Sequence, residues 1–484
     1  MHSFVKNISF STLILAIALA MTTTTTWGQE LIFSEPLKMK DNSTYEMVGK
    51  VKDKFILIEH NSDTPILNTY DSKLKLKLTK KLSLDRKNTE IFGVIPNKED
   101  FNIFYTHSKN RISYIKAHKY NPEGVLVDSL TISNIPFFSN EYKPAIVNSQ
   151  NRRVALVYFK EAQHTLRAIA VRTDVLQVLW EKSFKINEMG IGKDYRQIIV
   201  TNEGSMYLLG NNDDNLFEKP TKGILLYRYD KKKDLLSSKM IYLPDETYLF
   251  DTKFEFDEEN NKLSGVGLFA LHNNGKASGF FYVSSVNEDS FAITLSPFDD
   301  ELASSLKNKK IVKNKGIEDI QIAELILRKD GGALLICEVA KEFFRKGYQG
   351  YYSPRMEQPL IVDYYNDDIL TAAFHPDGSL HWRHLLPKKQ FAQDNDDVYS
   401  SFFVAKTSES LRFIYNEEIN VSTEVAEYAL LPEGDYHRKV LLKTNQFSEN
   451  IMLRVRDAIQ TDSQELLIPS EWRGKLRLVK LTLD

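Results

Sequence analysis

Thr371-Ala-Ala-Phe-His-Pro-Asp-Gly-Ser-Leu-His-Trp-Arg-His-Leu-Leu386 reads as two short strands joined at Pro376-Asp377-Gly378. Proline presets the φ of a turn, aspartate caps it, and glycine takes the positive φ that closes it. Apolar and aromatic residues flank the turn on both sides, the pattern of a β-hairpin. Weaker versions recur at Tyr70-Asp71-Ser72, Asn121-Pro122-Glu123-Gly124, Thr173-Asp174, Asp230-Lys231-Lys232, Asn287-Glu288-Asp289 and Pro432-Glu433-Gly434. Counted from residues 71, 123, 174, 231, 288, 377 and 433, the steps are 52, 51, 57, 57, 89 and 56. An eighth strand of the same style, Leu476-Arg-Leu-Val-Lys-Leu-Thr-Leu483, ends the chain where its turn is due.

Each hairpin follows another strand pair, such as Arg153–Tyr158 before the third and Ser205–Gly210 before the fourth. Four short strands in fifty-odd residues, repeated seven or eight times, predict a β-propeller. A four-stranded sheet cannot bury both faces alone, so the sheets stack around a ring. We expect an all-β, eight-bladed propeller, with seven blades as the alternative. The last repeat lacks a fourth strand, and Leu31-Ile-Phe-Ser-Glu-Pro-Leu-Lys38 is a spare one. The reading is therefore a single domain over 29–484, latched by the N-terminal strand in the last blade.

The 89-residue step carries two insertions in the sixth repeat. Residues 299–316 open with acids and continue with lysine, matching a short helix and its dipole. Residues 341–363 form a long excursion between the second and third strands of one blade. This excursion concentrates Phe343, Phe344, Arg345, Tyr348, Tyr351, Tyr352 and Arg355, with Tyr364 and Tyr365 just beyond. Tyrosine and arginine dominate interface hot spots, and tyrosine also stacks on sugar rings. The repeat itself does not demand them there. They are the candidate partner-binding residues, against the plainer reading that the excursion folds back to cap its own blade.

Residues 1–28 have the form of a signal peptide: Lys6, the short apolar core Leu13–Ala20, then small residues, with cleavage fitting after Ala20 or Gly28. No later apolar run is long enough to cross a bilayer as a helix. The expectation is an exported protein, periplasmic or extracellular, with an envelope protein or glycan as partner. A formal net charge of -2 gives no global field for nucleic acid. The single cysteine, Cys337, sits in a buried-strand pattern and reads as an inert thiol. Lys73, Lys75 and Lys77 alternate with leucines, which reads as an outer strand with Leu inward and Lys outward.

Enzyme motifs are missing from the sequence: there is no Gly-x-Ser-x-Gly, no His-Glu-x-x-His and no phosphate-binding glycine loop. Asn211–Asp214, Tyr365–Asp368 and Asp394–Asp397 are acidic clusters better explained by turn chemistry than by calcium. A hairpin here would allow His375 and His381 to approach across it, but two ligands do not make a zinc site. No metal, cofactor or catalytic residue is assigned. The reading is a binding or scaffold propeller working through its insertion-bearing face. The alternative is a polysaccharide-acting enzyme with paired carboxylates near the central axis.

The repeats Ala170–Trp180 and Ala373–Trp382, each a turn followed by tryptophan, resemble quinoprotein-type propellers. Most repeats lack the tryptophan, so the resemblance implies no quinone. The whole mature chain resembles the largely uncharacterised exported propeller proteins of Gram-negative bacteria, which implies fold and compartment rather than activity.

Overall fold

The computed structural model describes residues 31–483 apart from 40–42, 61–63, 87–88, 137–142, 188–194, 212–221, 245, 273–275, 288–289, 308–315, 347–359, 395–397, 418, 420–423 and 444–450. The proposed signal segment lies outside the described residues. Eight antiparallel sheets follow one another along the chain, and together they form an eight-bladed β-propeller. Blades 1–7 span 44–81, 90–136, 145–185, 195–242, 248–297, 320–386 and 403–443. Blade 8 takes its inner three strands from 459–482 and its outer strand from Leu31–Phe33. Leu31, Ile32 and Phe33 pair with Leu481, Lys480 and Val479, and Leu37 pairs with Leu476.

The latch follows from strand alternation. Leu31 and Phe33 pack into the apolar layer between blades 7 and 8. Ile32 points the other way, into the layer between blades 8 and 1. Eight apolar layers fill the eight blade-to-blade interfaces, so every blade has both faces covered. Without residues 31–38 two of those layers would lie open to water.

The turns between third and outer strands fall where the hairpin pattern puts them among the described residues; Glu288 and Asp289 of the fifth lie outside these. At the opening stretch, the His375 amide donates to the Ser379 carbonyl and the Gly378 amide to the His375 carbonyl, each at 2.9 Å. Asp377 Oδ1 accepts from the Ser379 amide, and Gly378 has φ +85°. A Cβ there would also lie 2.8 Å from Tyr282 and Thr294 of blade 5. Asp71, Asn121 and Asp230 cap their turns in the same way. Trp180 and Trp382, on outer strands, each donate an indole N–H to a carbonyl of the next blade, Gly204 at 2.8 Å and Pro432 at 3.3 Å.

One alternation fails. A bulge opposite Thr69 and Tyr70 leaves Lys77 as the extra residue. Leu74 is buried, but Leu76 is turned outward. Cys337 is fully buried in the second strand of blade 6, and burial pushes its thiol pKa up, which matches an inert thiol.

At the axis, inner strands are cross-linked by side chains rather than by a continuous ladder. Gln197 of blade 4 bonds both the amide and carbonyl of Phe254 in blade 5. Gln460 of blade 8 does the same to Lys406 in blade 7. Asp251 accepts from the Ile322 amide, and Glu46 from the Val94 amide. Each amide or carboxylate satisfies a backbone group that would otherwise face the channel.

Candidate functional site: the face that carries the arm

Strands in a blade alternate in direction, so the turns alternate between two faces of the ring. Linkers between blades and the turns joining second to third strands share one face. The other turns share the opposite face. The sequence-predicted excursion is a second-to-third connection, formed by Ala333–Lys346 and Leu360–Phe374. Both strands outgrow blade 6, pairing as far as Lys346 with Leu360. A further strand, Gln390–Gln393, pairs along Asp363–Asn366 and makes the projection a three-stranded arm. The preceding helix, Asp300–Lys307, is capped by Asp299, which accepts from the Leu302 amide at 2.9 Å and also holds Arg383.

Of the predicted site residues, Phe343, Phe344, Arg345, Tyr364 and Tyr365 lie on this arm. Tyr348, Tyr351, Tyr352 and Arg355 lie outside the described residues. Pairing sets the two faces. On one face Phe343 meets Tyr365 edge-on at 5.6 Å, and Tyr365 meets Phe391 at 5.1 Å. That row is flanked by Lys341 over the Phe343 ring at 4.6 Å and by Arg345 bound to Asp363 at 2.6 Å. Phe344 projects from the other face. The exposures are high for such side chains: Phe344 62%, Leu360 60%, Phe343 46% and Phe391 41%.

Below the arm lies a polar hub that sequence reasoning missed. Lys388 is fully buried and bonds Glu338 at 2.7 Å, the Asn366 carbonyl at 2.7 Å and Gln390 Oε1 at 2.7 Å. The Ser401 hydroxyl donates to the other Glu338 oxygen at 2.6 Å. The Gln390 side chain also accepts from the Ser401 amide and donates to the Asn416 carbonyl. The Asn416 side chain in turn holds the carbonyls of Tyr399 and Leu453. One buried cation thus ties the arm to the linkers of blades 7 and 8. Asp367 and Asp368, beside it, have pKa values raised by burial.

The hub leads to a cleft of about 610 Å³ between blades 8 and 1 on the same face. Asn366 Oδ1 accepts from Arg456 at 3.5 Å, in the 3-10 turn Val455–Asp457. Next to it, Arg454 donates to Asp457 and Glu471, both at 2.6 Å, and its guanidinium lies over the Tyr45 ring at 5.4 Å. Burial pushes the Tyr45 and Tyr399 hydroxyl pKa values up, with Arg454 opposing. Both phenols stay neutral at physiological pH. Inside the channel, Glu324 of blade 6 pairs with Lys406 of blade 7 at 2.8 Å. Glu255 of blade 5 is held above the usual carboxylate range by burial, against the pull of Lys253 and Lys406.

No family model matches the sequence, and no curated protein does. Solved structures with a similar course include the WD40 domain of SCAP from fission yeast, with TM-score 0.41 and 8% identity over 94% of this chain and 98% of that one. The β-propeller domain of the Trilobed protease from Pyrococcus furiosus gives 0.37 and 9%, over 85% and 98%. The periplasmic gluconolactonase PpgL of Pseudomonas aeruginosa gives 0.36 and 12%, over 83% and 96%. Among these, the Trilobed protease domain is a β-propeller. Likeness at this level says nothing about activity.

Proposed function

We propose that the protein is an exported binding or scaffold propeller that engages an envelope protein or glycan through the arm-bearing face. The observation that carries this reading is the exposed apolar surface of the arm: Phe343, Phe344, Leu360 and Phe391 stand out on both of its faces. Isolated exposed apolar residues are ordinary, but a cluster on one projection marks a docking surface. Apolar side chains on both faces suit a protein partner that wraps the arm better than a sugar stacked on one side. The buried hub supports the same reading, since a rigid arm loses little freedom on binding.

Deleting residues 343–358 is expected to leave the fold intact and to abolish capture of the partner from the native envelope fraction. Undiminished capture overturns the assignment. Export rests on Lys6 and the apolar run Leu13–Ala20. Mass spectrometry of the mature protein should find an N-terminus after residue 20 or 28, and an intact Met1 in the cytosol would refute it.

A second reading, a polysaccharide-acting enzyme, draws on the Asp457 and Glu471 carboxylates gathered on Arg454 in the cleft. It predicts release of new reducing or unsaturated ends from a polysaccharide panel, lost in Asp457→Asn and Glu471→Gln. No release by the wild type across the panel removes it.

A further inference from the structure

We infer a second binding site on the opposite face of the ring, a cationic rim at the mouth of the axial channel that takes an acidic polysaccharide. The axial channel has a volume of about 1500 Å³, lined by residues of blades 1–3 and 6–8. Its rim is built from the turn at Asn97–Asp100 in blade 2, and from the turns at Asn151–Arg153 and Thr173–Asp174 in blade 3. These turns join inner to second strands or third to outer strands, so the rim lies on the face away from the arm. The site goes beyond the arm reading and stands or falls independently of it.

The three turns are braced from below. Buried Asn102 donates to the Thr173 carbonyl at 2.8 Å, and Asn97 donates to the same oxygen at 3.2 Å. The Thr173 hydroxyl donates to the Arg152 carbonyl at 2.7 Å. Lys119, itself buried, reaches the Asp174 carbonyl. Buried polar side chains thus hold the backbone that presents the rim, which lowers the ordering cost of binding there.

Charge pairing decides the ligand. Rim carboxylates are already matched: Glu99 with Lys52 at 3.3 Å, Asp100 with Asn97 at 2.6 Å and Lys119 at 4.0 Å, and Asp174 with Arg172 at 2.5 Å. Deeper in the channel, Lys406 is matched by Glu324, and Lys50 by Asp462 and Glu465. Lys98, Arg152 and Arg153 remain exposed with no acidic partner among the described residues. A site with three open cations set among matched carboxylates favours a ligand that carries both anions for the cations and hydroxyls that can donate to the carboxylates. A chain of uronic acid or sulfated sugar offers both. A nucleic acid draws its affinity from many phosphate contacts, and three open cations on a chain of net charge -2 supply few of them and no compensating field.

Affinity of the full mature protein for polygalacturonate and chondroitin sulfate, with dextran and duplex DNA as comparisons, tests the site. The expected result is binding of one or both acidic glycans, none of dextran, and weakening by about tenfold or more as salt rises from low to physiological levels. Lys98→Ala/Arg152→Ala/Arg153→Ala is expected to weaken it by a similar factor with the circular dichroism spectrum unchanged. Lys232→Ala/Lys233→Ala, on neighbouring blade 4, and the 343–358 deletion are expected to bind as wild type. Equal binding of dextran, preference for DNA, binding of no glycan, or indifference to the triple substitution each overturn the proposal. None of these outcomes touches the arm.

Discussion

Blades 3 and 6 have the same four-strand order and the same outer-strand tryptophan, yet they differ where their second and third strands meet. In blade 3 the strands Val154–Ala162 and Thr165–Arg172 close on a two-residue turn. The residues at that end, Glu161, Ala162, Gln163 and His164, are polar or small and exposed. Its charges sit at the surface, with Arg167 between Glu161 and Glu181. In blade 6 the same connection grows into the arm, presents phenylalanines to solvent and rests on a buried lysine. A blade evidently needs only what blade 3 has. The additional material in blade 6 is therefore attributable to something other than closing the ring.

Removing the buried charge should break this contrast most sharply. Lys388→Met leaves the Glu338 carboxylate buried without its counter-charge, a loss of about 3–5 kcal/mol, measured by denaturant unfolding. Lys388→Met/Glu338→Leu should recover most of that loss, because both desolvation costs vanish together. A single substitution costing under about 1 kcal/mol, the range of an exposed pair, would mean that water reaches the hub and that the arm is not anchored as described.

The two blades should also respond oppositely to acid. In blade 3, burial alone would raise Glu161, but hydrogen bonds from Ser183 and Arg167 overcome it and hold its pKa below the unfolded value. That contribution is complete above the unfolded pKa and is lost as pH falls through the folded one. In blade 6 burial raises Asp367, so a penalty appears as pH rises above the unfolded value and is complete above the folded one. Asp367→Asn is accordingly expected to stabilise the protein at pH 7, with the gain disappearing toward pH 4. Glu161→Gln should destabilise at pH 7, with the loss shrinking in strong acid. Melting temperatures of both variants across pH check the signs, and parallel pH profiles would refute the contrast. Arg167→Ala, which frees two partly exposed carboxylates, should cost only about 1 kcal/mol or less.

These expectations show which parts of the protein the sequence makes visible. Turn chemistry is local, so residues such as Asp71, Asn121, Asp230 and Asp377 announce their hairpins, and the spacing of all the turns counts the blades. The arm is visible because Phe343 and Phe344 interrupt that spacing. The hub is not, since nothing distinguishes Lys388 from Lys389 beside it until the fold buries one of them. The cleft was equally hidden: Tyr45 comes from the start of the chain and Arg454, Asp457 and Glu471 from its end. They meet only because the ring closes. Lys98 and Arg152 likewise lie in separate repeats, and that neither has an acidic partner among the described residues is a property of the assembled rim.

The smallest expected effect on stability is also the one that best separates packing from function. Phe344 sits on the edge of the arm with 62% of its surface exposed, pairs across the sheet with Val362, and belongs to none of the apolar layers between blades. Phe344→Ser should therefore change unfolding free energy by about 0.5 kcal/mol or less. In blade 3, Leu156→Ala, at a fully buried position, should cost about 2–5 kcal/mol. If Phe344 served the fold, its loss would resemble that of Leu156, and the plainer account of the arm as a cap on its own blade would hold. If stability is unchanged while affinity for the captured partner falls, the ring was exposed for that partner. The two measurements on one variant distinguish these cases, because a residue that only packs cannot lose binding without also losing stability.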